Sequence, residues 1–281
     1  MKYIVDKESL LIDFLLEKQY KRNTIKNLLK FENITVDNAI QTYHAYPLKI
    51  GQIVEINKKK DVSPLPIIYE DDDLIVVNKP CGLLTEATLN EKEKTAFFLM
   101  KEYLKKKNQK IYLVHRLDQY TSGILMFVKD KKLYDALTNS WNEVVNERGY
   151  VAIVEGVPKS KRGTIKNYLA ESKSQEVYIS NKNEGKLAIT HYREIMSNRR
   201  YSMLEVNLET GRKNQIRVHL SSLHHPIAGD KKYGSTSNPI KRLALHHHRF
   251  AFVHPLNKRE YKFTCKTPKE FEELFIKKKK S

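Results

Sequence analysis

Between Ser9 and Lys30 the apolar residues recur at helical spacing, as Leu11, Phe14 and Leu15 and then Ile25, Leu28 and Leu29, which predicts two short helices with Asn23 placed to cap the second. The pattern then changes period. Ile34 to Val36 and Gly51 to Ile56 are short apolar clusters that predict strands, with Tyr46 to Gly51 as a turn-rich approach. Lys58 to Pro66 is charged and then proline-containing, so it predicts a linker. The expected organisation is a small helix-helix-sheet module over 1–58, a linker over 59–66 and a large domain over 67–281.

In the large domain, Leu74 to Val77 is an apolar run that ends at Asn78-Lys79-Pro80, because proline cannot continue a ladder. Ile111 to Val114, Ile124 to Val128, Tyr150 to Val154 and Leu204 to Leu208 predict further strands. Helices are expected near Leu133 to Asn142 and over Gln215 to Leu223, where Ile216, Leu220 and Leu223 share a face. Strands and helices do not alternate regularly, and no glycine-rich nucleotide loop interrupts them. The expected class is therefore α+β with a mixed sheet, and neither a dinucleotide-binding nor a P-loop fold.

Charge changes the picture. The 281 residues hold 51 Lys and Arg against 33 Asp and Glu, a formal net charge of +18, which creates a field that attracts a polyanion. Arg22, Lys26 and Lys30 are spaced four apart, so the second helix carries a basic stripe on one face and apolar residues on another. Lys277 to Lys280 read as a solvated terminus. Only Cys81 and Cys265 are present, too few for a disulfide framework or a cysteine-rich zinc site, and a reducing cytoplasm is expected. No run approaches the length of a membrane span, and Asp6, Lys7 and Glu8 interrupt any export-type segment, so neither anchor nor export signal is expected.

The candidate chemistry begins with HRLDQYTSGILMFVKD, His115 to Asp130, where Asp118 sits in a polar loop that runs into an apolar strand. Arg116, Gln119, Thr121 and Ser122 surround it, and several donors are expected to hold the carboxylate ionised at neutral pH. A second polar stretch, Leu208 to Gly234, gathers Arg212, Arg217, His219 and Asp230 around a Thr-Gly turn. Two such loops on one domain suggest a cleft. The adjacent histidines 224–225 and 246–248 point in alternating directions on extended backbone and lack partner spacing, so no metal site is expected. Ser122, His219 and Asp118 form a hydrolase triad only on paper, because Thr-Ser-Gly lacks the nucleophile-elbow pattern.

Six segments, NKPCGLL (78–84), HRLDQYTSGILMFVKD (115–130), GYVAIVEG (149–156), ETGRKNQIRVHL (209–220), HPIAGDKKYG (225–234) and RLALHHHRFAFVHP (242–255), closely resemble in kind and order the Rlu-type RNA pseudouridine synthases. The resemblance implies that Asp118 is the catalytic carboxylate, that Tyr150 packs against the target base, that Arg217 pairs with Asp118 as two parallel donors, and that Arg116 fills the gap left by the extruded uridine. Thr121, Lys79 and Arg212, with Arg22, Lys26 and Lys30 in the small module, are the expected RNA contacts. The implied reaction breaks the bond from base nitrogen to sugar, turns the base and rejoins it through ring carbon 5. A carboxylate acting as nucleophile or base suffices, so no cofactor and no metal is implied.

Four residues depart from the family pattern: Glu86 where His is common, Lys213-Asn214 where Thr-His is common, and His224 where Gly is usual. Residues 9–57, through KRNTIKNLLKFENITVDN and PLKIGQIVEI, resemble a small RNA-binding module first described in a ribosomal small-subunit protein, without the glycine that usually precedes the strand at FENITV. Family architecture points to large-subunit ribosomal RNA as substrate, with tRNA the alternative, and a non-catalytic RNA-binding protein is the rival of a different class. No obligatory protein partner is implied, and a monomer is the default.

Overall fold

The computed structural model describes residues 1–30, 32–56 and 63–276, and its backbone separates into two compact units, Met1–Val62 and Ser63–Ser281. The first half of the expected 59–66 linker and the Lys277 to Lys280 run lie outside the described residues.

The first unit runs β1 (Lys2–Ile4), β2 (Ser9–Leu10), α1 (Leu11–Glu17), α2 (Arg22–Lys30), β3 (Ile34–Val36), β4 (Ala39–Ile40), β5 (Pro47–Leu48) and β6 (Ile53–Ile56). Leu11, Phe14 and Leu15 of α1 and Ile25 and Leu29 of α2 are buried with Ile34, Val36, Val54 and Ile56, so the helical faces close over the small sheet β1-β6-β3-β4. Arg22 and Lys26 are exposed on α2; the side chain of Lys30 lies outside the described residues. Asn23 falls inside the first turn of α2, which begins at Arg22, and does not cap it.

The second unit runs β7 (Ile67–Glu70), β8 (Leu74–Lys79), α3 (Ala96–Lys105), β9 (Tyr112–Leu113), β10 (Ser122–Val128), α4 (Lys131–Asn139), α5 (Trp141–Val144), β11 (Val145–Glu155), β12 (Arg162–Glu171), β13 (Val177–Ser180), β14 (Lys186–Ser197), β15 (Tyr201–Leu208), α6 (Gln215–Ser222), β16 (Leu245–Val253), β17 (Glu260–Thr264) and α7 (Lys269–Glu273). Eleven of its strands form one mixed sheet in the order β13-β12-β14-β15-β11-β16-β10-β8-β7, with β17 on β16 and β9 on β10. The unit is α+β, as the irregular order of strand and helix signals implies. No helix among the described residues is long and apolar enough to cross a membrane.

β10 is buried at every position because it divides two cores. Ile124, Met126 and Val128 pack with Leu133 and Leu137 of α4, whereas Leu125 and Phe127 pack with Met100 and Leu104 of α3. Every apolar residue of the run is thereby used, which explains why it lacks the polar alternation of a half-exposed strand. Asp130 caps α4 by accepting the N–H of Leu133 at 2.9 Å, and the helical signal breaks at Ser140 into α4 and α5.

Among the described residues, β10 and β16 are the one parallel strand pair, and they meet only at Ser122–His246 and Gly123–His247. Beyond that point they part, with β10 taking β9 and β16 taking β17. His115 fills the gap: its Nε2 accepts the N–H of Met126 at 3.0 Å, and its ring stacks on Phe250 with centroids 5.3 Å apart.

The contact between β10 and β16 requires a glycine. Gly123 has φ +112, and a Cβ there would collide with the backbone carbonyl of His247 and lie 2.7 Å from its nitrogen. Gly123→Ala is expected to cost on the order of 3 kcal/mol, combining backbone strain with overpacking. Gly82→Ala, at φ +89 with nothing within 4 Å, carries the strain alone and should cost about 1 kcal/mol. Chemical denaturation of the two variants measures the difference, and equal losses would remove the close approach as a constraint.

Candidate active site

Asp118 lies in the irregular loop between β9 and β10, and both of its neighbours are tied down. The carbonyl and N–H of Leu117 bond Thr85 Oγ1 at 2.6 and 3.2 Å. The carbonyl of Gln119 accepts the N–H of Gly82 at 2.9 Å and Lys79 Nζ at 3.0 Å. The segment between β8 and α3 therefore grips the loop on both sides of the carboxylate, which fixes where it can point.

Lys79 is not the RNA contact expected of it. The side chain is fully buried, and Nζ donates to the carbonyls of Pro80, Leu83 and Gln119 at 3.1, 2.7 and 3.0 Å. Burial pulls its pKa down to about 8. Thr121 is 2% exposed and lines the cleft floor, where it offers RNA almost no surface.

The cleft has a volume of about 1130 Å³, and Asp118, Tyr150, Arg217, Arg116 and Arg212 all line it. Tyr150, on β11, stacks on His247 of β16 with centroids 4.4 Å apart and rings 17° from parallel. Burial and the nearby Asp118 charge both push its phenol up. Arg116 is 69% exposed at the rim and pairs with Glu86 at 2.7 Å, the residue that departs from the family pattern. Arg212 is exposed and donates Nε to the carbonyl of Leu187 at 3.1 Å.

Arg217 reaches in from the first turn of α6, but its fork does not close on Asp118. Nε and Nη2 hold Asp230 at 2.7 and 2.8 Å, and Nη1 donates to Asn214 Oδ1 at 2.7 Å. The nearest approach to Asp118 is Nη1 to Oδ2 at 3.9 Å. The Tyr233 ring closes the other side, 4.8 Å from the guanidinium carbon, and its hydroxyl accepts from Asn214 at 3.1 Å. Asp230 appears in the sequence only as one polar residue among several, and nothing in the spacing distinguishes it from Asp118 as the arginine's partner.

Two expectations about Asp118 are thereby corrected. The parallel pair of donors goes to Asp230, and among the described residues no hydrogen-bond donor reaches the Asp118 carboxylate. Burial raises its pKa, while the charges of Arg217, Arg116 and Lys79, in that order, oppose the rise. The paper triad does not assemble: Ser122 Oγ bonds His246 Nδ1 at 2.8 Å, and His219 Nδ1 bonds Thr190 at 2.8 Å. Among the described residues no group of three His, Cys, Asp or Glu stands close enough to hold a metal ion.

Comparison with known proteins places the chain among RNA pseudouridine synthases. The family model described as RNA pseudouridylate synthase matches residues 73–222, which contain Asp118, Tyr150 and Arg217. An uncharacterized RNA pseudouridine synthase of Bacillus subtilis is 36% identical, over 68% of this chain and 65% of that protein. The ribosomal large subunit pseudouridine synthase D of Zymomonas mobilis is 34% identical, over 78% of this chain and 74% of that protein. Among solved structures, human RNA pseudouridylate synthase domain containing 4 superposes with a TM-score of 0.61 at 25% identity, covering 74% of this chain and 90% of that one.

Lys79 gives the site a pH signature. Its amine loses a proton near pH 8 in the folded chain and near pH 10.4 when unfolded. Between those values the unfolded state binds more protons, so this group makes stability rise with pH. Relative to Lys79→Met, the wild type is expected to gain about 1 kcal/mol per pH unit above pH 8. Parallel stability curves for the two proteins between pH 7 and 9.5 would show that the amine is not buried as described.

Proposed function

We propose that this chain, which belongs to the RNA pseudouridylate synthase family, converts uridine to pseudouridine in large-subunit ribosomal RNA with Asp118 as its catalytic carboxylate. Members of the family are isomerases acting on uridine in RNA. The observation that carries the assignment of the site is the meeting of Asp118, Tyr150 and Arg217 in one cleft. The names of relatives such as the Zymomonas mobilis enzyme support the choice of RNA.

Asp118 works at the sugar, where an ionised carboxylate either attacks the carbon that carries the base or takes a proton from the ring. Both roles need the base form, and a carboxylate without strong hydrogen bonds keeps its basicity. Arg217 supplies the nearby positive charge that favours ionisation. Tyr150 presents a ring face, fixed from behind by His247, against which a uracil can lie flat. Extruding the base from a paired stem costs a few kcal/mol, which contacts to the RNA backbone must offset. Arg116 and Arg212 at the rim, and Arg22 and Lys26 on the N-terminal unit, are the proposed contributors, and Arg116 must leave Glu86 to take part.

When ring carbon 5 joins the sugar it gives up its hydrogen, so RNA tritiated at that carbon reports turnover as tritium released to water. Wild-type protein should release tritium from a large-subunit ribosomal RNA transcript, and Asp118→Asn should bind the same RNA with turnover reduced at least 1000-fold, an order of magnitude in keeping with loss of an essential catalytic group. Because the carboxylate must be ionised, wild-type activity should fall as pH drops, with a midpoint above the ordinary aspartate value of about 3.9. Release from tRNA transcripts alone would transfer the activity to the alternative substrate. Near wild-type turnover by Asp118→Asn would falsify the assignment of the carboxylate.

A further inference from the structure

The cleft extends beyond the reacting end. At its far side it is walled by Tyr112, Tyr134 and Trp141, none of which the proposed chemistry uses. At about 1130 Å³ it is larger than one nucleoside requires, since sites enclosing a whole drug-sized ligand run to roughly 300–1000 Å³. Trp141 is the single tryptophan of the chain and opens α5, which leads directly into β11, the strand that carries Tyr150. Its ring is backed by Phe250, with centroids 6.0 Å apart and 27° between planes, and by His115 at 5.7 Å. His115 is itself locked by its bond to the N–H of Met126. Tyr112 and Tyr134 lie 5.6 Å apart and line the same cleft. All three wall residues remain partly exposed, although a strip serving only as core would be covered.

From this geometry we infer that the Tyr112–Tyr134–Trp141 wall is a second base-binding subsite, which stacks an unpaired nucleotide neighbouring the target uridine. The inference rests on the proposed RNA reaction and narrows its substrate to uridines that are unpaired on at least one flank. Three aromatic rings lining the same cleft as Asp118, on a chain of net charge +18, fit an RNA base, because every base offers a flat face and the backbone supplies the charge the protein attracts. Lys131, whose Nζ lies 4.7 Å from the Tyr134 centroid, is paired with Asp135 and reaches a phosphate at the edge of the strip only by leaving that pair.

Because Trp141 is the only tryptophan, its fluorescence reports the subsite in the intact protein. Asp118→Asn, which should hold RNA without turnover, is titrated with a short single-stranded RNA containing a central uridine, and binding is followed separately by anisotropy of an end-labelled copy. Quenching is expected on binding, and an abasic nucleotide beside the uridine should relieve it while weakening affinity about 5- to 100-fold. In the active protein, Trp141→Leu should raise KM by a similar factor with kcat little changed, and pairing the flanks with a complementary strand should abolish the difference. Bound RNA that leaves Trp141 unquenched would overturn the subsite, as would quenching indifferent to the abasic substitution. These readings do not depend on whether Trp141→Leu folds. If the wild type releases no tritium from any RNA, the proposed reaction fails; release without quenching removes only the subsite.

Discussion

The buried pair between Arg217 and Asp230 is the interaction on which the site depends. A guanidinium satisfies a carboxylate best when its fork closes on both oxygens, and Arg217 gives that fork to Asp230 and its remaining arm to Asn214. Asp118 is left with a positive charge 3.9 Å away and no hydrogen bond from it. Had the fork closed on Asp118, the bonds would have stabilised the carboxylate and drained its basicity. Buried ion pairs contribute little net stability, because desolvation consumes most of the attraction. Asp230 acts by orientation: it holds the Arg217 charge near Asp118 without letting it bond.

The sheet supplies the other constraint. β10 and β16 touch for two residues and then part, and the split leaves space filled by His115 stacked on Phe250, with His247 edge-on to both. Asp118 emerges at the start of β10 and Tyr150 from β11 beside β16, so the point of separation brings both to one cleft. Burial holds the ring of His115 neutral, with its pKa pulled down to about 3, and a neutral ring is what its acceptor role requires. Lys79 and Thr85 then fix the backbone on either side of the carboxylate, so fold and site share the same hydrogen bonds.

Much of this was legible in the sequence, for definable reasons. β10 announces itself as an unbroken apolar run and α6 through its helical apolar spacing, and the segments HRLD and GRKNQIR mark polar stretches that the fold brings to one cleft. Sequence could not assign partners. Asp118 and Asp230 are equivalent as residue types, and only folding decides which takes the arginine's fork. Lys79 resembled an RNA contact because its true partners are backbone carbonyls, which every residue possesses. β12 and β14 went unread because their exposed faces carry charged and polar residues, so that Arg162 and Lys166 lie opposite Arg193 and Ile189 with little apolar alternation to reveal a strand. Asn23 suggested a cap, yet the helix starts one residue earlier.

Asp118 is an enclosed carboxylate whose pKa burial raises, and Arg217 favours its ionised form by charge alone, without a hydrogen bond that would drain its basicity further. Carbon-13 NMR titration of labelled aspartate carboxyls, with Asp118 assigned by comparison with Asp118→Asn, measures this directly in the free protein. The expected pKa lies above the ordinary aspartate value of about 3.9 and rises further in Arg217→Leu, where the largest opposing charge is removed. A pKa at or below the ordinary value that does not move in Arg217→Leu would contradict it.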